Sequence, residues 1–279
     1  MSRGHAGSTH PQHQQVAIAV AQFAPGNDGE RNLATVRDLA TAAAERGAKL
    51  VVFPEYSSYF TPTLGANTVE AAEPLDGPFV IGVAAIAKIL GIHVVAGMIE
   101  QTIGGDRVYN TVVAVDPQGR HVATYRKIHL YDAFGQQESE WVAPGPVERP
   151  EVFTVDGLTV GLQTCYDLRF PEVSRRLMDA GVDVIACPSE WVRGPLKEHH
   201  WRTLITARAL ENTLYVAAAD HTPPIGVGNS MIVDPMGVEI ATAGERVDIA
   251  LGWVTKSRID DVRITNPAVK LRRFGVHPL

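Results

Sequence analysis

Short apolar runs alternate with helical periodicities along most of the chain. VAIAVAQ at 16–22 is continuous, valine-rich and short, which predicts a buried strand. Asn27 and Asp28 then offer helix caps. Leu33, Val36, Leu39, Ala40 and Ala43 follow at steps of three and four until Gly47 stops the pattern. KLVVF at 49–53 predicts the next strand, so the opening reads as a βαβ unit. Pro78 and Gly91 bracket a helix over 78–90, and a strand follows over 92–100. VYNTVVAVD and RHVATYRK flank Asp116-Pro-Gln-Gly119, a turn sequence that predicts a hairpin. The device returns as Asn229-Ser-Met-Ile-Val-Asp-Pro-Met-Gly237, which suggests two halves of related build.

The second half repeats the alternation. LTVGLQTC (158–165) predicts a strand, Pro171 opens and Gly181 closes a helix, and VDVIACP (182–188) predicts a strand. A helix over 196–212 places Trp201, Leu204, Ile205 and Ala209 on one side, and LYVAAAD (214–220) predicts another strand. Repeated βα units with inserted hairpins predict an α/β protein, a mixed sheet layered with helices. No linker divides it. A polar tail over 1–15, one domain over 16–262 and a C-terminal arm over 263–279, suited to packing on a neighbouring subunit, complete the expected organisation.

Composition narrows the function. The 279 residues are 45% apolar and 20% charged, with a formal net charge of −6, which gives no electrostatic footprint for nucleic acid. Two cysteines permit at most one disulfide. No apolar run approaches the roughly 20 residues that span a bilayer, so no membrane partner is expected. The tail carries three of the ten histidines and no hydrophobic signal region, which points to the cytoplasm.

Phosphate-loop, dinucleotide, zincin and serine-elbow motifs are absent. What remains stands at strand ends, where α/β sheets bind ligands. VVFPE carries Glu55, YRKIHLYD carries Lys127 and LQTCYDLRFPE carries Cys165. A thiolate is a strong nucleophile, but a free thiol is mostly protonated at neutral pH. Glu55 is suited to take that proton, and Lys127 to stabilise the negative charge that develops when a carbonyl is attacked. The backbone N–H of Tyr166 would donate to the same oxygen. Cys187 also closes a strand and reads as a small core residue.

FPE at 53–55, RKIHLYD at 126–132 and CYDLRFPE at 165–172, in that order, resemble the nitrilase superfamily of carbon–nitrogen hydrolases. RALEN (208–212) and the NS–VDP–G hairpin extend the likeness from about Val16 to Val262. The CYDLRFPE motif resembles the amidase branch with the omega-amidases and deaminated-glutathione amidases. The resemblance implies a four-layer αββα sandwich with mixed sheets, acyl transfer through a Cys165 thioester, no metal or organic cofactor, and homodimers or higher homo-oligomers. It also implies a second glutamate, Glu138 in QQES, with Glu140 as its competitor.

The resemblance narrows the substrate to a small amide. Cys165-Tyr166-Asp167 stands where nitrilases proper carry Cys-Trp-Glu, which favours amides over nitriles. A single arginine after the cysteine, Arg169, weakens an N-carbamoyl amidohydrolase reading; it would bind a substrate carboxylate, or pair with Asp167 or Glu172. The loop Ser189-Glu190-Trp191-Val192-Arg193 departs from the amidase pattern. There Trp191 would narrow the pocket, Arg193 would fix a distal carboxylate and an inward Glu190 would disfavour an anion. Transfer of the thioester to an acceptor other than water, and a non-catalytic interaction module, are the competing functions.

Overall fold

The computed structural model describes residues 14–278; the predicted tail lies outside them as far as residue 13. Five successive strands, β1 (Val16–Gln22), β2 (Leu50–Val52), β3 (His93–Gln101), β4 (Val108–Val115) and β5 (His121–Arg126), lie side by side in chain order. The first three run parallel and the last two form the predicted antiparallel hairpin. A second sheet holds β6 (Val152–Val155), β7 (Leu158–Leu162), β8 (Val184–Pro188), β9 (Tyr215–Ala219), β10 (Met231–Val233) and β11 (Glu239–Thr242). There β7, β8 and β9 are parallel, and β10 and β11 turn back. A last strand, β12 (Asp248–Val254), closes the first sheet antiparallel to β1, as β6 flanks β7 in the second.

The halves therefore share one topology, and the repeated motif falls at the same place in each. Asp116 accepts the N–H groups of Gln118 and Arg120 in the β4–β5 turn, and Asp234 accepts those of Met236 and Val238 in the β10–β11 turn. Gly119 and Gly237 both take φ 77°, the left-handed conformation that closes each turn without a Cβ clash.

Side-chain alternation assigns the layers. On β1, Ile18 and Val20 meet Leu162, Val184, Ala217 and Ile232 between the sheets. The alternate Ala19 and Ala21 are small and face helices α1 (Gly29–Glu45) and, after the short α2 (Ala66–Glu70), α3 (Pro78–Leu90), through Val36, Ala40, Val83 and Ile86. On β8, Val184 and Ala186 point into the inter-sheet core while Ile185 and Cys187 pack against α4 (Pro171–Asp179) and α5 (Lys197–Asn212). Cys187 is thus the core residue its position predicted. The result is the αββα sandwich. Helix α6 (Lys256–Thr265) runs through residue 262, where the sequence reading ended the domain. Among the described residues no helix is long and apolar enough to cross a membrane.

Candidate active site

The sequence places Cys165 at the end of a strand; the structure ends β7 at Leu162 and carries the chain on through Gln163 and Thr164. Cys165 then takes φ 43° and opens a 3₁₀ turn over Cys165–Arg169 before Pro171 starts α4. A left-handed non-glycine residue costs on the order of 1–3 kcal/mol, so the surroundings must hold it. Thr164 Oγ1 donates to the Pro188 carbonyl at 2.7 Å, and Arg208, from RALEN on α5, donates twice to the Leu168 carbonyl at 3.0 and 2.7 Å. Asp167, fully buried, accepts from Tyr125 Oη (2.6 Å) and from the His129 backbone (3.0 Å) and shares a 2.7 Å contact with His129 Nδ1. Asp167 therefore ties the turn bearing Cys165 to the segment bearing Lys127.

Glu55 stands three residues past the end of β2, in a turn in which Tyr56 takes φ 58°. Gly97 on β3 lies directly against this bend. A Cβ there would stand 2.6 Å from Glu55 Cα and 2.7 Å from the Tyr56 nitrogen, so only glycine fits. Replacing Gly97 by alanine is expected to displace Glu55, costing about 1–3 kcal/mol of stability and roughly 10–100-fold in turnover. Denaturant unfolding and steady-state kinetics on one preparation would check both.

Lys127, Glu55 and Glu138 meet in a buried cluster. Lys127 Nζ stands 2.9 Å from Glu55 Oε1 and 2.9 Å from Glu138 Oε2. Glu138 also accepts from Tyr56 Oη at 2.7 Å and from the Tyr131 backbone at 2.6 Å. Glu140 is exposed at the rim, so Glu138 is the residue that joins the cluster. Glu55 Oε2 accepts the Glu190 N–H at 2.6 Å, and Cys165 Sγ donates to the Glu190 carbonyl at 3.4 Å. One residue's backbone thereby bridges the acid and the thiol.

One ammonium shared by two carboxylates separates their proton affinities. Burial raises Glu55 above the ordinary carboxylate range despite Lys127, and the charge of Glu138 adds to the rise. Burial also acts on Glu138, but there Lys127 and the Tyr131 N–H outweigh it and hold the group low. Burial opposes the charge on Lys127; Glu138 and Glu55 more than compensate and keep it protonated. Burial and the neighbouring Glu55 push the Cys165 thiol well up, so the resting sulfur is protonated.

Cys165, Lys127 and Glu138 line a cavity of about 520 Å³ together with Tyr166, Arg169, Glu190, Trp191 and Lys197. The Tyr166 N–H has no acceptor among the described residues. Asp167 is engaged elsewhere and Arg169 makes no ion pair among the described residues; its guanidinium lies 4.9 Å from the Trp191 ring centre and 5.4 Å from that of Phe134. Lys197, which sequence reasoning missed, lies 4.1 Å from the Phe134 ring centre and donates to Tyr131 Oη at 2.6 Å. Its position at the start of α5 disguised it as an ordinary solvated helix residue.

Two expectations for the 189–193 loop need correction. Arg193 does not reach the cavity: it is 42% exposed and faces Glu198 and Glu245 at 3.4 and 3.5 Å. The Arg193 N–H is tied to the Ile225 carbonyl, and the Val192–Gly226 bridge turns its side chain out. Glu190 does face the cavity, but burial, then Glu55 and Asp220, raise its carboxyl far above the ordinary range. Its charged form is thereby disfavoured, which weakens the repulsion of an anion that the sequence reading expected.

A family model described as carbon-nitrogen hydrolase matches residues 17–264. The chain is 40% identical over 264 residues to the deaminated glutathione amidase of Escherichia coli O157:H7, covering 92% of this chain and 97% of that protein. Against the deaminated glutathione amidase of Rattus norvegicus it is 34% identical, with 92% and 82% covered. The crystal structure of the C. elegans NitFhit protein superposes with a TM-score of 0.85 at 30% identity over 93% of this chain and 65% of that one. An amidase variant from Nesterenkonia sp. AN1, with the acetamide moiety of fluoroacetamide added covalently at its active site cysteine, gives 0.77 at 25% identity over 94% and 95%. With the matched region spanning both sheets and the cluster between them, the chain belongs to the carbon-nitrogen hydrolase family and is an amidase of the nitrilase superfamily.

Proposed function

We propose that the protein hydrolyses a small, carboxylate-bearing amide through a thioester on Cys165. The observation that carries this reading is the thiol, the ammonium and the Glu138 carboxylate lining one cavity, with Glu55, of opposite proton affinity, buried behind them 2.9 Å from Lys127 Nζ. Glu55 takes the proton of Cys165 as sulfur bonds to the amide carbon. Lys127 and the Tyr166 N–H stabilise the oxyanion. As the C–N bond breaks, Glu55 returns its proton to the departing nitrogen, and ammonia or an amine leaves. Glu55 then deprotonates a water that attacks the thioester carbon; the C–S bond breaks and the thiolate recovers its proton. Glu138 stays ionised throughout and holds Lys127. Covalent addition at the cysteine of the Nesterenkonia amidase supports the same nucleophile here.

The acyl group is read from the other cavity wall. Arg169 and Lys197 share the Phe134 and Trp191 rings, and neither forms a salt bridge among the described residues, the nearest acid on the cavity wall being Glu190, whose charged form burial disfavours. Burial and the charge of Arg169 lower the proton affinity of Lys197. Two unneutralised cations side by side favour an anion between them, and Arg offers it a bidentate fork. A hydrolysis screen with ammonia as readout tests this: mono-amides of short dicarboxylic acids against neutral amides of equal length, carbamoyl amino acids and nitriles. Arg169→Met and Lys197→Met are each expected to raise KM for the anionic amides at least tenfold and to leave neutral amides unaffected. Equal use of charged and neutral amides by the parent protein overturns the anionic substrate. Added hydroxylamine separates hydrolysis from acyl transfer, because a transferase would yield mainly the hydroxamate.

A further inference from the structure

Asn110, on β4, is fully buried and stands between the two acids of the site. Its Nδ2 lies 2.5 Å from Glu55 Oε1 and 3.1 Å from Glu138 Oε1. Lys127 Nζ reaches the same two oxygens at 2.9 and 3.1 Å. An amide and an ammonium thus bridge one pair of carboxylate oxygens, and both amide hydrogens are used. The cost is visible on the same side chain: Asn110 Oδ1 is buried with no partner. Turning the amide over would aim that oxygen at two acid oxygens, so the acceptors fix its orientation.

The arrangement leaves the acids unequal. A carboxylate oxygen has two in-plane lone pairs. On Glu55 Oε1, Asn110 and Lys127 occupy both; on Oε2 the Glu190 N–H occupies one and the other is open. On Glu138, Tyr56 Oη, Asn110 and Lys127 crowd Oε1, and the Tyr131 N–H with Lys127 fills Oε2. The open position is on the oxygen bonded to Glu190, the residue whose carbonyl receives the Cys165 thiol.

We propose that Asn110 is a positioning residue that confines proton transfer to Oε2 of Glu55 by holding Oε1 as a permanent acceptor, and that fixes Glu55 and Glu138 on either side of Lys127. This rests on the reading of Glu55 as the base. Its hydrogen bond favours the ionised form of Glu55, so losing it raises the proton affinity of the base. The other groups facing Glu55 set the background: Lys127, Glu138 and Tyr56, then Cys165, Glu190 and Asp220. His221, whose Nε2 lies 2.7 Å from the Glu55 carbonyl, is kept neutral by burial, its pKa lowered to about 4.

The test is the pH profile of kcat/KM for Asn110→Ala and Asn110→Asp, beside Glu55→Gln. In Asn110→Ala, kcat/KM is expected to fall about 10–100-fold near neutrality with KM within twofold. Its acid limb should move up by about one pH unit, so part of the loss is recovered at alkaline pH. Asn110→Asp, nearly isosteric but carrying acceptors where donors stood, should move the limb further. Alkylation of Cys165 by chloroacetamide against pH gives the same limb without turnover and serves for whichever variant folds. A uniform loss at every pH, with the limb unmoved in a folded variant, overturns the proposal and leaves only a packing role. If Glu55→Gln keeps the parental limb, the assignment of the base has failed instead.

Discussion

Replacing Cys165 by serine or alanine is expected to lower kcat by a factor on the order of 10⁴–10⁶, the range seen when a nucleophile is removed, while the fold survives. The serine variant is the sharper case. Its hydroxyl fills the space of the thiol and inherits the Glu190 carbonyl as acceptor. What changes is ionisation. Burial already holds the thiol protonated at rest, and in the proposed mechanism Glu55 removes that proton as the bond to carbon forms. A hydroxyl is harder to ionise by several pH units, and Glu55 cannot make up the difference. The left-handed backbone at Cys165 is held by Thr164, Arg208 and Asp167, none of which touches the sulfur. The thermal midpoint should therefore move by only a few degrees. Parental turnover by Cys165→Ala would dismiss the sulfur as nucleophile.

Much of this was readable before any coordinates. Short apolar runs alternating with helical periodicities predicted a mixed sheet layered with helices, whereas the division of β1 into a large-residue face and an alanine face took its meaning from the structure. The duplicated Asp-Pro-x-Gly turns marked equivalent hairpins in both halves. Glu55, Lys127 and Cys165 were legible because rare residue types interrupt apolar patterns at strand ends. Asn110 was not, because NTVVAVDPQG reads as the start of a hairpin and its side chain acquires meaning only through Glu55 and Glu138, 55 and 28 positions away. Lys197 and Arg193 were misjudged for a common reason. Both are cations on a loop or at a helix start, and only three-dimensional contacts decide which one turns inward. The raised proton affinity of Glu190 likewise follows from burial beside other acids.

Glu55→Gln is expected to reduce kcat by about 10³–10⁴-fold, since the proposed mechanism uses the same carboxylate as base and acid in both halves of the reaction and general acid–base catalysis contributes about 10²–10⁴-fold. The signature lies in the pH profile. Burial raises Glu55, so the parental rate should rise with pH along an acid limb above the ordinary glutamate value of 4.5. The glutamine variant should lose that limb, because no group remains to ionise there. Stability moves by a separate logic. A carboxyl whose folded proton affinity is raised contributes stability below its unfolded pKa and loses that contribution as pH rises through the folded one. Glu138, held low, behaves in reverse: its contribution is present above the unfolded pKa and is lost as pH falls. Removing the charge of Glu55 leaves Lys127 paired one-to-one with Glu138. The glutamine variant should consequently be no less stable than the parent at neutral or alkaline pH, whereas Lys127→Met, which strands two buried acids, should cost about 3–5 kcal/mol. Thermal unfolding of both variants across pH, with the rate profile of Glu55→Gln, tests the division of labour: a glutamine variant that keeps the acid limb, or more than a tenth of the parental rate, would remove Glu55 from the proton path.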